Sequence, residues 1–341
     1  NHVRCLYDIW NDGIRANIQR IEEMSKLYFI VNTNARTGKA GFVWHRICNT
    51  LEERKIAYEA YETKYEGHAT ELAREISQKD TDKIYLIVVG GDGTMNEVLN
   101  GITDFDKVRF GMIPSGSGND FARGLMIDKN PNIALHQILK AIAREKNGIP
   151  VSRVDIGQVR WGETEEESRI FGISSGIGLD AIVCKKALHS KLKKVLNKIH
   201  LGKLTYLLLT VSSLFSMKTA EVTLECGDNH CVHKMNKMIF AAAMNLRAEG
   251  GGVPMAPKAS PTDGMLSLSM AHGIPKLLTF FCLPLLVAAK HERIRGFTVI
   301  DAPVLRLHAD QPLVLHADGE YCGDVTDVEF VCLTGKLKLL R

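Results

Sequence analysis

Hydrophobic and polar positions alternate in blocks along the first 150 residues, and the blocks repeat one grammar: an apolar run, a glycine-bearing loop, then apolar positions three and four apart. Leu27–Val31 is a short apolar strand, followed by a polar loop to Gly41 and a helix through Phe42, Ile47 and Leu51 that ends near Arg54-Lys55. Tyr58–Thr63 predicts a weaker strand, and Gly67-His68 opens a helix through Leu72, Ala73 and Ile76. In the central block, Ile84–Val89 is continuously apolar with β-branched members, the pattern of a strand buried on both faces. Gly90-Gly91-Asp92-Gly93 breaks it, and Met95, Val98, Leu99 and Ile102 predict a helix at once. Thr94 and Glu97 have capping-box spacing at its start. Val108–Ile113 then leads through Pro114–Asp120 to helical segments at Phe121, Leu125 and Ile133–Ile142, with Ser117 and Asp120 repeating the cap spacing. Glycine loops at the carboxyl ends of successive strands, each feeding a helix, predict a doubly wound parallel sheet with a ligand crevice.

Near Gly148-Ile149-Pro150 the period changes. Val154–Trp161, Ile170–Ser174, Thr219–Cys226, Lys237–Asn245, Met265–Met270, Val304–Ala309, Leu313–Ala317 and Val328–Leu333 read as strands. Helical stretches at Leu188–Met217 and Pro275–His291 interrupt them. The expected organisation is an N-terminal extension (1–25), an α/β domain (26–150) and a β-rich, sandwich-like domain with inserted helices (151–341). A return of the last residues to the first domain is left open.

Composition changes this picture little. A chain of 341 residues, 45% apolar and 24% charged, is an ordinary globular one with room for two domains. Its eight cysteines are scattered, as in a reducing compartment. Cys226, Cys231 and His233 surround a Gly-Asp-Asn turn, which favours a hairpin over a zinc site because no second ligand pair follows. Charge is informative by its placement: of the net +4, eight lysines and no acid fall between Ala181 and Ala220. Residues 1–25 lack the apolar run of a signal peptide. The apolar stretches Leu204–Met217 and Leu277–Ala289 are shorter than the ~20 residues of a membrane span. A cytoplasmic protein in peripheral contact with membranes when active, with no nucleic-acid partner, is expected, as a homodimer or a monomer.

The chemistry concentrates at the loops. A strand, a glycine turn and a helix N-terminus gather free amides around one point, which suits a phosphate. Asp92 is an acid inside that anion site, which makes sense if Mg2+ lies between it and the phosphate; alternatively it caps the helix. Lys39 in the first loop faces either phosphate or solvent. Gly250-Gly251-Gly252 leads through Pro257 and Pro261 to Asp263-Gly264, a long turn that presents a carboxylate. Asp318-Gly319-Glu320 follows a strand and can be read as a hairpin turn or as a pair of functional carboxylates.

Taken together, GGDGTMNEVLNG at Gly90–Gly101, PSGSGNDFARGL at Pro114–Leu125, GGG…AP…TDG at Gly250–Gly264 and DGE at Asp318–Glu320 resemble the diacylglycerol kinase catalytic family, in particular its soluble bacterial lipid kinases. The resemblance runs from about Lys26 to the C-terminus. It implies a nucleotide-binding α/β domain, a β-rich domain, and phosphoryl transfer from ATP to a lipid hydroxyl with Mg2+ in the cleft between them. Carried over residue by residue, it implies ATP contacts at Asn32, Thr33, Asn34, Ala35, Arg36, Thr63, Gly91, Asp92, Gly93, Thr94, Met95, Asn96, Glu97 and Ser117. Thr33 stands where the family usually has proline, Thr37 where it has serine, and Ser117 where it has threonine. Asp263, with carbonyls near Ser260 and Met265, matches a structural Mg2+ site. Glu320, with Asp318 beside it, matches the acceptor of the lipid hydroxyl's proton, and Asp92 belongs with them among the catalytic carboxylates. An alkyl alcohol needs such an acceptor, and the accumulating phosphate charge needs Mg2+ and amides. The lysines between Lys185 and Lys203, next to Leu204–Met217, suggest contact with an anionic membrane.

Three rivals differ in class. NAD kinases share GGDGT, but their Asn-Glu pair lies well downstream, whereas Asn96-Glu97 is fused to the glycines here. A dinucleotide oxidoreductase would show G-x-G-x-x-G with an acid about 20 residues on, which no strand here does. A catalytically inactive lipid-binding relative would have no need of Asp92, Asp318 and Glu320 together.

Overall fold

The computed structural model describes residues 26–33, 39–189, 202–227 and 231–341, which form two compact units: the first through Val154 with Lys336–Arg341, the second Asp155–Gly335. The N-terminal extension and residues 34–38 of the first loop lie outside the described residues.

The first unit contains β1 (Leu27–Val31), α1 (Lys39–Glu53), β2 (Tyr58–Glu62), α2 (His68–Ser77), β3 (Ile84–Gly90), α3 (Asp92–Gly101), β4 (Val108–Pro114), α4 (Asp120–Gly124) and α5 (Pro131–Lys146). Its strands pair in parallel in the order β2-β1-β3-β4. Every residue of β1 and β3 is buried, as expected of strands covered on both faces. The order in which strands are added reverses between β1 and β3: right-handed crossovers to the left and right of that point send helices to opposite faces. α1 accordingly meets α5, and α2 meets α3. The α2–α3 contact is close because position 101 is glycine; a Cβ there would lie 2.3 Å from the Thr70 carbonyl. At the chain's end Leu339 pairs in parallel with Phe110, Leu340 N–H donates to the Phe110 carbonyl, and Arg341 donates to the Leu125 carbonyl at 2.7 Å.

The second unit is antiparallel. It comprises β5 (Ser152–Arg160, which enters from the first unit), β6 (Ser168–Phe171), β7 (Ser174–Gly178), α6 (Leu179–His189), α7 (Gly202–Ser216) and β8 (Ala220–Cys226). β9 (Cys231–Met238), β10 (Phe240–Met244), β11 (Leu266–Ala271), α8 (Lys276–Val287), β12 (Phe297–Ala302), β13 (Val304–Ala317) and β14 (Glu320–Leu339) complete it. Strands run β12-β11-β10-β7-β13-β14. β13 serves two partners on one edge: Leu305–Ala309 pair with β8 and Leu315–Ala317 with β7. One core, built on Phe171, Leu224, Leu268, Leu305, Leu315 and Phe330, fills the sheet interior. On the other side α6, α7 and α8 cover β10 and β11 through Leu179, Leu214, Met244, Cys282 and Leu286.

Several elements differ from the sequence reading. The expected strands 304–309 and 313–317 are one strand with a register shift between His308 and Leu313. Of the expected helix 188–217, the described residues are the end of α6, which already begins at Leu179, and α7; 190–201 lie outside the described residues. The strand expected at Lys237–Asn245 is only Phe240–Met244, preceded by β9, whose polar CVHKMNKM alternates too weakly to announce itself. Cys226 pairs with Cys231 across the β8–β9 hairpin, so the cysteine–histidine cluster is a hairpin turn; its tip, 228–230, lies outside the described residues.

Candidate functional site

In the first unit the loops after β1, β3 and β4 converge at the switch point of the sheet, where open α/β sheets hold their ligands. Asn32, just past β1, donates its side-chain amide to Thr94 Oγ1 at 3.0 Å and so ties the first loop to the start of α3. Thr94 lies directly over Gly90, where a Cβ would come 2.8 Å from the threonine Cβ. The β3 and β4 loops touch backbone to backbone: a Cβ on Gly116 would sit 2.5 Å from the Gly91 Cα. Asn119, in the left-handed region at φ 53°, closes the second loop by accepting the Gly116 N–H at 3.0 Å and donating to the Gly116 carbonyl at 2.9 Å. Ser117 is exposed at its tip, and the buried Ser115 hydroxyl beside it has no hydrogen-bond partner.

Asp92 joins these loops. Its Oδ2 accepts the Asp120 N–H at 3.0 Å and its Oδ1 the Phe121 N–H at 3.1 Å. The acid is therefore a cap, but of the neighbouring helix α4 rather than its own. The expected capping boxes are not formed. α3 starts at Asp92 with Gly91 at the cap position, and neither it nor α4 has a side-chain cap of its own. Glu97 instead accepts the Ala69 N–H at 3.1 Å and caps α2, while Thr94 is occupied by Asn32. Met95 and Asn96 are fully buried, so of the expected ATP contacts their side chains face the protein interior. Gly91 meets Gly116 here with Asn32 tied to Thr94 beside them, Ser117 is exposed at the tip of its loop, and the Thr63 N–H is used by the Val31 carbonyl. Asn34, Ala35 and Arg36 lie outside the described residues.

In the second unit, Asp318-Gly319 is the two-residue turn joining β13 to β14, with Ala317 opposite Glu320. Both turn residues have positive φ (49° and 88°), the geometry of a type I′ hairpin for which Asp-Gly is a preferred pair. The two carboxylates differ in employment. Asp318 accepts three backbone amides, Gly172 at 2.8 Å, Ile173 at 2.8 Å and Ser174 at 3.0 Å. Glu320 is the first residue of β14 and half-buried.

Behind the turn stands a pair the sequence reading missed. His316 is buried, and its Nδ1 accepts the Gly319 N–H at 3.1 Å. Nε2 is then the protonated nitrogen of the neutral ring and donates to Asp180 Oδ2 at 3.0 Å. Gly176, opposite His316 on β7, leaves room for this carboxylate; a Cβ would lie 2.3 Å from it. Burial disfavours the imidazolium, but Asp180 opposes burial and prevails, so the imidazole pKa is raised. The stability this pair contributes is therefore expected to be present at low pH and lost as pH rises through the raised pKa, and unfolding followed against pH checks this. Asp180→Ala is expected to lower the melting temperature by leaving the buried His316 Nε2–H without an acceptor, while Asp180→Asn, which keeps an acceptor, restores most of it. Equal losses in both variants would remove the pair from the turn's support. Nearby Cys322 is no nucleophile, because burial pushes its thiol up to about 11.

The long turn 260–265 hangs from a second buried acid absent from the sequence reading. Asp155 accepts Gly264 N–H at 2.8 Å and Gly335 N–H at 2.6 Å, and its own N–H donates to the Pro261 carbonyl at 2.8 Å. Asp263 is exposed and accepts the Met265 N–H at 3.1 Å; the Ser260 and Thr262 hydroxyls are 3.2 Å apart. One carboxylate and main-chain carbonyls are hard oxygen donors of the kind Mg2+ takes alongside water. The donor set fits the ion in kind, although no cluster of three or more His, Cys, Asp or Glu exists among the described residues.

Of the basic stretch, Lys185 stands 3.9 Å over the Tyr321 ring and 3.3 Å from Asp324, so it is engaged beside β14. Lys191, Lys193, Lys194 and Lys198 lie outside the described residues.

Comparison with known proteins places this architecture. A family profile described as the diacylglycerol kinase catalytic domain matches residues 26–151, and one described as the YegS C-terminal NAD kinase beta sandwich-like domain matches 174–341. The chain is 33% identical over 302 residues to a Bacillus subtilis (strain 168) protein named "Putative lipid kinase YtlR", covering 88% of this chain and 94% of that one. It is 30% identical over 305 residues to the diacylglycerol kinase of the same organism, covering 88% and 91%. A solved diacylglycerol kinase structure from Bacillus anthracis str. Sterne superposes with a TM-score of 0.63 at 18% identity, covering 93% of this chain and 97% of that one, and so shares the fold.

Proposed function

We propose that this chain, which belongs to the diacylglycerol kinase catalytic-domain family, is an ATP-dependent lipid kinase that transfers the γ-phosphoryl group of ATP to the hydroxyl of a lipid such as diacylglycerol. The observation that carries the reading is the cradle at the switch point, where Gly91 and Gly116 meet backbone to backbone and Asn32 anchors Thr94. Side chains are excluded there and the first-turn amides of α3 are presented, which is what phosphate oxygens require. Asn32, Thr33, Asn34, Ala35, Arg36, Thr63, Gly91–Thr94 and Ser117 would contact ATP; Met95, Asn96 and Glu97 would hold α3 in place from inside.

In the reaction the lipid oxygen attacks the γ-phosphorus, the bond to the ADP oxygen breaks, and the hydroxyl proton passes to the Glu320 carboxylate. We assign the acceptor to Glu320 rather than Asp318 because Asp318 is committed to three amides. Asp318 holds the turn, and His316 with Asp180 supports it from behind. Mg2+, when bound with the nucleotide, would neutralise phosphate charge; Asp263 with the carbonyls near Ser260 and Met265 would hold a structural ion. Asp92 is assigned to positioning, since both its oxygens hold the second loop. No helix among the described residues is long and apolar enough to cross a membrane, and we propose a cytoplasmic enzyme that reaches its lipid peripherally.

Labelled ATP offered with a mixed lipid extract in one tube and with NAD in a parallel tube tests this. Phosphorylated lipid, identified by mass spectrometry, is the expected product, with NAD unchanged. Label in NAD phosphate would reassign the chain to the NAD kinase reaction, and label in neither would leave a non-catalytic lipid-binding protein.

A further inference from the structure

Among the described side chains, α8 and the 208–216 part of α7 bury one side and expose the other. On α8 the inward positions Thr279, Cys282 and Leu286 are buried, while Leu277 (59%), Leu278, Phe281 (64%), Leu285 and Val287 (63%) are exposed. Positions 277, 278, 281 and 285 fall on one stripe of a helix. α7 adds Leu208 and Phe215. The two helices meet at their ends: Lys276 donates to the Met217 carbonyl and, at 3.4 Å, to that of Phe215, while Phe215 and Phe280 rings lie 6.2 Å apart. These side chains therefore form one apolar face, larger than scattered exposed residues explain.

Its border is basic. Lys276 and exposed Lys218 stand where α7 ends and α8 begins, joined there by Lys186, whose amine is 3.5 Å from Ser216 Oγ. Exposed Lys290 follows the other end of α8. Neither 202–218 nor 276–290 contains an acid, and the first one beyond α8, Glu292, is paired with Lys258 at 2.8 Å. An apolar centre with a cationic, acid-free rim is complementary to hydrocarbon beneath anionic headgroups and poorly matched to a protein surface that would need acids of its own in register.

We infer that the outward faces of α7 and α8 form the docking surface for an anionic phospholipid bilayer, with Leu277, Phe281 and Leu285 entering the headgroup–acyl boundary and the exposed Lys218 and Lys290 facing lipid phosphates. The inference rests on the lipid kinase reading for its choice of partner. It moves the membrane contact expected of Lys185–Lys203 to a face that the described side chains build.

The test reads binding without ATP, so that it does not depend on turnover. The full chain is mixed with vesicles of phosphatidylcholine alone or with added phosphatidylglycerol, and a Phe281→Trp variant is examined with brominated lipid. Co-sedimentation with the phosphatidylglycerol vesicles, weakening as salt rises, and quenching of the added tryptophan relative to the parent chain are expected. Leu277→Asp with Phe281→Asp should lower partitioning on the order of 10–100-fold and cut phosphorylation of vesicle lipid, yet leave turnover of a short-chain dispersed acceptor unchanged. Vesicle binding without quenching at position 281, or binding that survives the double substitution, overturns the assignment. A concentration-dependent dimer that the double substitution dissolves, with no vesicle binding, gives the face to a second copy instead. Vesicle binding with quenching in a chain that phosphorylates no lipid would remove the kinase reading and keep the surface.

Discussion

Glu320→Gln is expected to lower kcat by about 10²–10⁴ with little change in ATP affinity or melting temperature, the range for loss of a general base. The amide is isosteric and Glu320 sits at the first position of β14, so the hairpin has no reason to move. Asp318→Asn should behave differently. In the parent chain both carboxylate oxygens face amides of Gly172, Ile173 and Ser174. Asparagine presents an NH2 group to one of them, donor against donor, and an unpaired buried polar group costs roughly 1–3 kcal/mol. Asp318 also occupies φ 49°, a region asparagine tolerates, so the backbone itself is not penalised by the change. The expected signature is a lowered melting temperature with a kcat loss that follows from displacement of Glu320. If Asp318→Asn keeps parental stability while abolishing turnover, and Glu320→Gln is mild, the two roles are exchanged.

The apolar blocks make the first unit legible because its strands are continuous and its helices periodic: β1, β3, β4 and α2 lie where Leu27–Val31, Ile84–Val89, Val108–Ile113 and Leu72–Ile76 place them. The second unit is harder for a physical reason. Its longest strands change partner along their length, so β13 carries one pattern against β8 and another against β7, and it reads as two strands. At the site, glycine loops and carboxylates are visible as residue types, but their obligations are long-range. Asp92 spends its oxygens 28 and 29 residues away, and Glu97 caps a helix 28 residues upstream. Local spacing suggested capping boxes at both places; at the first the tertiary partners Asn32 and Ala69 engage Thr94 and Glu97 instead, and at the second Asp120 pairs with Arg123. His316 and Asp180 were invisible for the same reason. They are 136 residues apart, and nothing in either neighbourhood announces a hydrogen-bonded pair until β7 is laid against β13.

Gly116→Ala is expected to remove ATP binding. Its new methyl would lie 2.5 Å from the Gly91 Cα and 2.9 Å from Asn119 Oδ1, and neither can yield cheaply: one is backbone, the other already holds the loop closed. The β3 and β4 loops must part, and the cradle they form opens. Inserting a methylene-sized group into such a contact typically costs 1–3 kcal/mol, enough to spread the amides that phosphate needs in register. Asp92→Asn attacks the same junction through its hydrogen bonds, since one of the Asp120 and Phe121 amides then faces an NH2 group. Both variants should fold, because the sheet beneath is untouched, and both should lack the rise in melting temperature that ATP is expected to give the parent chain. Ser117→Ala, at the exposed tip, should weaken ATP binding only modestly. The readout also separates Asp92's two possible duties. A positioning acid loses the nucleotide-induced rise equally with and without Mg2+, whereas a metal-bridging acid loses only the part that Mg2+ adds. Parental ATP affinity in Gly116→Ala would move the phosphates away from the switch point altogether.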